Sequence, residues 1–216
     1  GDASGLSVSR TPLGGLGTLI CGENTNPLAR FALLAQGEQV HISSYPPAWP
    51  FKGAGTAAEY DPRRANEIRS SAHSFEGKVY NIVACGFCDE RTTDISSLSE
   101  QARDLIVKTP KPASMVIGPA GSIIAGPVSG DREEILLAEI DLEKCIPEKQ
   151  AHDIVGGYNR FDVFRLYLNR NPLRPIHIAE ESLCEPGFAT LQDEPADASL
   201  EELPTAQPEG GMDDIN

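Results

Sequence analysis

Leu16-Gly17-Thr18-Leu19-Ile20-Cys21-Gly22-Glu23-Asn24 runs an apolar segment of strand length into a cysteine and then into polar residues. A short apolar run bounded by turn formers has the pattern of a buried strand. Upstream, Thr11-Pro12-Leu13-Gly14-Gly15 is a turn, and residues 6–9 form a short candidate strand. Downstream, Asn26 is placed to cap a helix, Pro27 suits its first turn, and Gly37 suits the residue just past its end. Leu28, Phe31, Ala32 and Ala35 mark the face this helix is expected to bury. Residues 38–44 form the next strand, so strand, helix and strand follow in order, an α/β pattern.

The alternation continues outward. Ser43-Ser44-Tyr45-Pro46-Pro47-Ala48-Trp49-Pro50 is too rich in proline for a strand interior, and it sets Tyr45 and Trp49 on a constrained loop of the kind that often lines sites. Asp61-Pro62 opens a second helix to about Gly77, with Ile68, Ala72 and Phe75 at helical spacing, and residues 78–84 make another strand. Residues 115–118, 122–125 and 135–141 are short strands between Gly/Pro turns, expected as hairpins at a sheet edge. From Gly187 apolar periodicity is lost, so a domain over 1–186 and a disordered acidic tail over 187–216 are expected.

The formal charge of −14 is unevenly spread: residues 179–216 hold eleven Asp or Glu and no Lys or Arg, leaving −3 for the rest. A chain with no basic stripe has no footprint for phosphate backbones, so neither nucleic acid nor an anionic membrane is an expected partner. Five cysteines without the density of a disulfide scaffold fit a reducing compartment, here taken as the cytoplasm. No stretch approaches the roughly 20 apolar residues that cross a bilayer. The opening Gly1-Asp2-Ala3-Ser4-Gly5 has the texture of a loop in mid-course, and residues upstream of it are expected in the natural protein.

Cys21 sits where a buried strand turns toward a helix, a geometry similar to a nucleophile elbow. A helix N-terminus nearby favours thiolate and steadies a developing anion. Spacing alone favours an inert buried cysteine, since free Cys is among the most buried residue types. Cys85-Gly86-Phe87-Cys88 has the spacing of a redox dithiol or half a zinc site but lacks a second pair, so no metal is expected there. His41, His73, His152 and His177 have no two members at metal spacing, and His41 and His73 are read as hydrogen-bonded structural residues.

The surrounding words change the weight on Cys21. Gly1-Asp2-Ala3-Ser4-Gly5-Leu6-Ser7-Val8, Thr11-Pro12-Leu13-Gly14 and Leu19-Ile20-Cys21-Gly22-Glu23-Asn24 leading to Pro27-Leu28-Ala29-Arg30 resemble the nitrilase branch of the carbon–nitrogen hydrolases. The resemblance continues through Ala35-Gln36-Gly37, Gly121-Ser122-Ile123-Ile124, Gly126-Pro127 and Asp153-Ile154-Val155-Gly156-Gly157-Tyr158-Asn159-Arg160-Phe161-Asp162-Val163-Phe164, covering roughly residues 1–168.

That resemblance implies a four-layer α-β-β-α sandwich that dimerises, incomplete in this chain. It implies a cysteine, Cys21, that attacks a nitrile to give a covalent thioimidate, from which water releases ammonia and a carboxylic acid. It also implies a small-molecule nitrile substrate, no metal or organic cofactor, and a homo-oligomer, either a dimer or a spiral. In the family a glutamate base and a lysine precede the cysteine, yet none of the first twenty residues here is Lys or Glu. Lys52 and Lys78 follow Cys21 and match no lysine motif, so an N-terminally truncated and inactive fragment is expected. Glu23 matches the family's glutamate two residues past the nucleophile, where a structural carboxylate is the favoured role. Gly22 stands where many relatives carry tryptophan, which implies a roomier wall beside the thiol. With Gly22 and Glu23, Tyr45 and Trp49 are substrate-pocket candidates; the two aromatics serve either as pocket walls or as packing anchors. Cyanide hydratase, a superfamily amidase and an inactive oligomer-modifying partner remain as alternatives.

Overall fold

The turn expected after Thr11 forms because Thr11 Oγ1 donates to Gly14 O at 2.9 Å and accepts from the Leu13 N–H at 3.1 Å. It folds β1 (Ser9–Thr11) antiparallel onto β2 (Gly14–Ile20). Residues 6–9 are not a strand of their own: a 3-10 turn spans Ala3–Gly5 and pairing begins only at Ser9. The computed structural model describes residues 3–48 and 61–171, so Trp49 and the expected 186/187 boundary with its tail lie outside the described residues.

Helix α1 (Pro27–Ala35) starts as expected, with Asn26 Oδ1 accepting from the Leu28 N–H at 3.0 Å and Pro27 in the first turn. Its buried face differs from the expected one: Ala32, Leu33 and Leu34 are inside, whereas Leu28 is 60% exposed and Ala35 is exposed. The cause is α2 (Pro62–Gly77), which packs against α1 at Gly77, where an added Cβ would come within 2.1 Å of Leu34 Cδ2. Asp61 caps α2 by accepting from the Arg63 and Arg64 N–H groups.

Helix α2 overturns the apolar reading of its inward face. Ile68 and Phe75 are exposed, and the buried set is Pro62, Asn66, Ser70, His73, Ser74 and Gly77. Part of this polar face is bonded to the sheet, while Ser70 Oγ and Ser74 Oγ are buried with no hydrogen-bond partner among the described residues. Asn66 Nδ2 donates to Ala113 O at 2.8 Å, and Asn81 Nδ2 donates to Ser70 O at 3.3 Å.

Six strands form one sheet in sequential order, completed by β3 (Val40–Tyr45), β4 (Tyr80–Cys85), β5 (Ala113–Ile117) and β6 (Ile123–Ser129). β2, β3 and β4 are mutually parallel; β1, β5 and β6 run antiparallel to their neighbours. Two crossovers in the same direction through parallel strands set α1 and α2 on one face. The core beneath them comprises Tyr45, Val83, Ala113, Met115 and Ile117, of which Val83, Met115 and Ile117 contribute about 1.5–3 kcal/mol each. On the opposite face Val40, Tyr80 and Cys145 pack with Leu16 and Leu142, while Ile20 and Ile82 stay 62% and 37% exposed.

The described residues therefore supply one helix layer and one sheet of the four-layer arrangement. Residues 135–141 form no strand: Ile135 and Leu137 are 86% and 83% exposed and pair with no neighbour in the sheet. Three helices were not anticipated, α3 (Glu90–Ser96), α4 (Glu100–Lys108) and α5 (Cys145–Ala151); the first two are capped by Asp89 and Ser99. Among the described residues no helix is long and apolar enough to cross a membrane.

The Leu34–Gly77 contact has a direct test. Gly77→Ala should lower unfolding stability by about 1–3 kcal/mol, the usual cost of overpacking, in urea titrations followed by circular dichroism. An unchanged midpoint would mean that the two helices are not closely packed.

Candidate active site

β2 leaves the sheet at Ile20, and Cys21 then takes a left-handed backbone conformation with φ +48. A non-glycine residue held there stores on the order of 1–3 kcal/mol and persists only where neighbours enforce it. A 3-10 turn over Cys21–Thr25 follows, so α1 begins six residues beyond the thiol rather than directly after it. Glu23 is exposed and braces the entry to this turn, its Oε2 accepting from the Ile20 N–H at 2.8 Å. Asn24, 2% exposed, braces it from inside: Nδ2 donates to Leu19 O at 3.0 Å and to Cys21 O at 3.4 Å.

Behind Asn24 lies a closed polar chain. Asn24 Oδ1 accepts from Ser43 Oγ at 3.0 Å and faces His41 Nε2 at 3.0 Å. The other ring nitrogen, His41 Nδ1, lies 2.6 Å from Glu38 Oε1, and His73 Nε2 lies 2.7 Å from Glu38 Oε2. The two imidazoles stack with centroids 3.9 Å apart. Burial alone would raise the Glu38 carboxyl, but the hydrogen bonds from His41 and His73 outweigh it and hold Glu38 below the ordinary carboxylate value. Burial pushes His73 down to about 4, so near neutral pH it is uncharged and donates from Nε2.

Ligand atoms of Glu38, His41 and His73 lie within 4.8 Å of one another, the one such cluster among the described residues. A tetrahedral cation about 2.0–2.2 Å from each donor sets those donors roughly 3.3 Å apart. The observed 2.6 and 2.7 Å separations are instead those of charge-assisted hydrogen bonds. Histidines that the sequence separates widely thus meet, joined by a glutamate it did not single out.

Four cysteines are described, all free. Cys88 and Cys145 are buried, and burial pushes Cys145 up and Cys85 up to about 12. Cys85 Sγ accepts from Asn66 Nδ2 at 3.3 Å, while Cys88 Sγ meets Thr93 Oγ1 at 3.5 Å, so each thiol of the Cys-X-X-Cys pair has its own neighbour. Cys21 is half-buried at the left-handed turn, packed against the Tyr45 core cluster. Tyr45 is itself inside that cluster on the helix side of the sheet, and burial pushes its phenol up. A Cβ on Gly22 would meet nothing within 4 Å, so that side of Cys21 is open. Beside the turn a hollow of about 450 Å3 is lined by Leu6, Thr18, Ile20, Glu23, Asn26 and Ala29. The structure thus brings Cys21, Gly22 and Glu23 to one turn, with Tyr45 beneath it. The residues that sequence reasoning missed are Asn24, Glu38 and Ser43. Their available signal was polar side chains at inward-facing positions beside a strand, where each must find a partner.

Residues 1–150 match the carbon–nitrogen hydrolase family. The chain is 31% identical over 189 residues to a nitrilase of Pseudomonas syringae pv. syringae (strain B728a), covering 85% of this chain and 55% of that protein. It is 31% identical to an arylacetone-specific nitrilase of Alcaligenes faecalis, covering 86% and 53%. The chain therefore spans about half the length of the curated relatives it matches. Among solved structures it is similar to a carbon–nitrogen hydrolase from Helicobacter pylori G27, with TM-score 0.57, 23% identity, and coverage of 76% and 52%. The C. elegans NitFhit protein gives TM-score 0.54 at 20% identity, covering 78% and 34%. These structural likenesses are likenesses of fold.

Two outcomes follow from the geometry. Among the four described cysteines, iodoacetamide near pH 8 should label Cys21 first, ahead of Cys85, whose thiol stays protonated, with Cys145 labelled only on unfolding, as read by peptide mass mapping; labelling of Cys85 ahead of Cys21 would contradict that order. His73 has a depressed pKa, so its contribution to stability is present above about pH 6.5 and lost as pH falls through about 4. His73→Gln should flatten that acid limb in melting temperatures measured against pH.

Proposed function

This chain belongs to the carbon–nitrogen hydrolase family, and on that premise we propose that the protein is a nitrilase, hydrolysing organic nitriles to carboxylic acids and ammonia with Cys21 as nucleophile. The observation that carries this reading is Cys21 itself, a half-buried thiol at φ +48 on a strand-to-turn junction braced by Glu23 and Asn24. Nitriles are favoured over amides as substrates because the curated relatives named above are nitrilases.

The Cys21 sulfur attacks the nitrile carbon, and the nitrogen takes up a proton to give a thioimidate. One water adds to that carbon and ammonia departs, leaving a thioester. A second water releases the acid and regenerates the thiol. Thiol deprotonation and proton delivery to nitrogen call for a base and a cation, which by resemblance are a glutamate and a lysine N-terminal to the cysteine. The first twenty residues of this chain contain neither.

The protein is proposed to act as a homo-oligomer. Leu28 on α1, with Ile68 and Phe75 on α2, exposes apolar surface on the helix layer. A reducing cytoplasmic setting fits the four free cysteines.

In the natural gene product, Cys21→Ala should lower acid and ammonia release from nitriles by roughly 10³-fold or more. Retained turnover would remove Cys21 from the mechanism, and accumulation of amide in the unsubstituted protein would make the enzyme a hydratase.

A further inference from the structure

The polar chain behind the turn has a proton inventory that only one arrangement satisfies. The Asn24 amide nitrogen lies against two carbonyl oxygens, those of Leu19 and Cys21, so the carboxamide is oriented with its NH2 toward them. The reverse orientation would set oxygen against oxygen. Asn24 Oδ1 is therefore an acceptor, and both groups facing it, Ser43 Oγ and His41 Nε2, must donate. With Nε2 committed as a donor, a neutral His41 would present a bare Nδ1 to Glu38 Oε1 at 2.6 Å. Two acceptors do not approach that closely, so one further proton is held between Glu38 and His41. His73 donates to the second Glu38 oxygen, and among the described residues its Nδ1 has no hydrogen-bond partner.

The charged groups around this unit are few. Glu38, His41 and His73 are 0–1% exposed and face one another, and Arg30 near His73 is paired with Glu76 at 2.8 Å. β2 makes room for the unit: an ideal Cβ on Gly17 would lie 1.8 Å from Glu38 Oε1. Every member is shut away from solvent, and the chain ends on the carbonyl of Cys21.

We propose that His41 and Asn24 act as positioning residues, with Glu38 holding the His41 ring in place: the N–H that His41 donates from Nε2 fixes the Asn24 carboxamide, which locks the left-handed backbone at Cys21 and so aims its thiol. This rests on the reading of Cys21 as nucleophile. None of the three touches the reacting atoms; they act through the turn that carries the thiol.

Two substitutions at one position separate positioning from general support. Asn places its amide nitrogen where His41 Nδ1 lies, so His41→Asn keeps a donor to Glu38 and removes the donor to Asn24. Gln reaches the position of Nε2, so His41→Gln keeps the donor to Asn24. The readout is the rate of Cys21 alkylation by iodoacetamide across about pH 6–9 in the natural gene product, with circular dichroism and continued protection of Cys145 as folding controls. His41→Asn should slow Cys21 alkylation by about tenfold or shift its pH profile by about one unit, and His41→Gln should restore most of the rate. A His41→Asn protein that is folded and alkylates at the original rate and pH profile overturns the proposal, as does equal slowing by both substitutions. Should His41→Asn fail to fold, Ser43→Ala removes the other donor to Asn24 Oδ1; slower alkylation then supports positioning, and an unchanged rate overturns it. Alkylation requires no nitrile turnover, so failure of the nitrilase reading, seen in Cys21→Ala, is recorded separately.

Discussion

A carboxylate removed from water must be met by donors or give up its charge, and Glu38 is such a carboxylate. Its two oxygens take His41 from β3 and His73 from α2, which ties a side chain of the sheet to a side chain of the helix layer through one carboxylate. Room for it exists only because β2 carries Gly17 at the facing position. Three elements are thus tied to one charge, and through His41 and Asn24 the same charge reaches the turn at Cys21. Breaking one partner of such a buried group is costly because the rest are left unpaired, so the arrangement behaves as a unit.

The elements flanking Cys21 were legible because their signals are local. Asn26 and Pro27 start α1 and Asp61 and Pro62 start α2 through bonds within a few residues, and the Thr11–Gly14 turn closes through one side chain. Which face each helix buries was not legible, since that is decided by the partner. Leu28 and Phe75 look like core residues by spacing, yet α1 turns Leu34 toward Gly77 and α2 turns His73 toward Glu38. The apolar run over 135–141 carries the periodicity of a strand but does not pair with the sheet.

The same division runs through the site. Cys21 stood out because an apolar strand, a thiol and a capped helix follow one another within a short stretch. Glu23 could be placed beside it, and its carboxylate meets the Ile20 N–H. The inner half of the site depends on Glu38 and His73, 35 positions apart, and on an asparagine whose importance lies in holding two carbonyls. No spacing rule links those residues before the sheet is assembled. The Cys-X-X-Cys pair shows the converse: its spacing suggests shared chemistry, yet burial holds Cys85 as a neutral thiol and Cys88 pairs with Thr93.

In the proposed function, carbon–nitrogen bond chemistry passes through the sulfur of Cys21. Incubating the natural gene product with a nitrile, quenching rapidly in acid and measuring intact and peptide masses tests it most directly. An added mass equal to the nitrile, or to its acyl group, is expected on the peptide containing Cys21 and on no other. Turnover without any such adduct, or an adduct on a different residue, would contradict it.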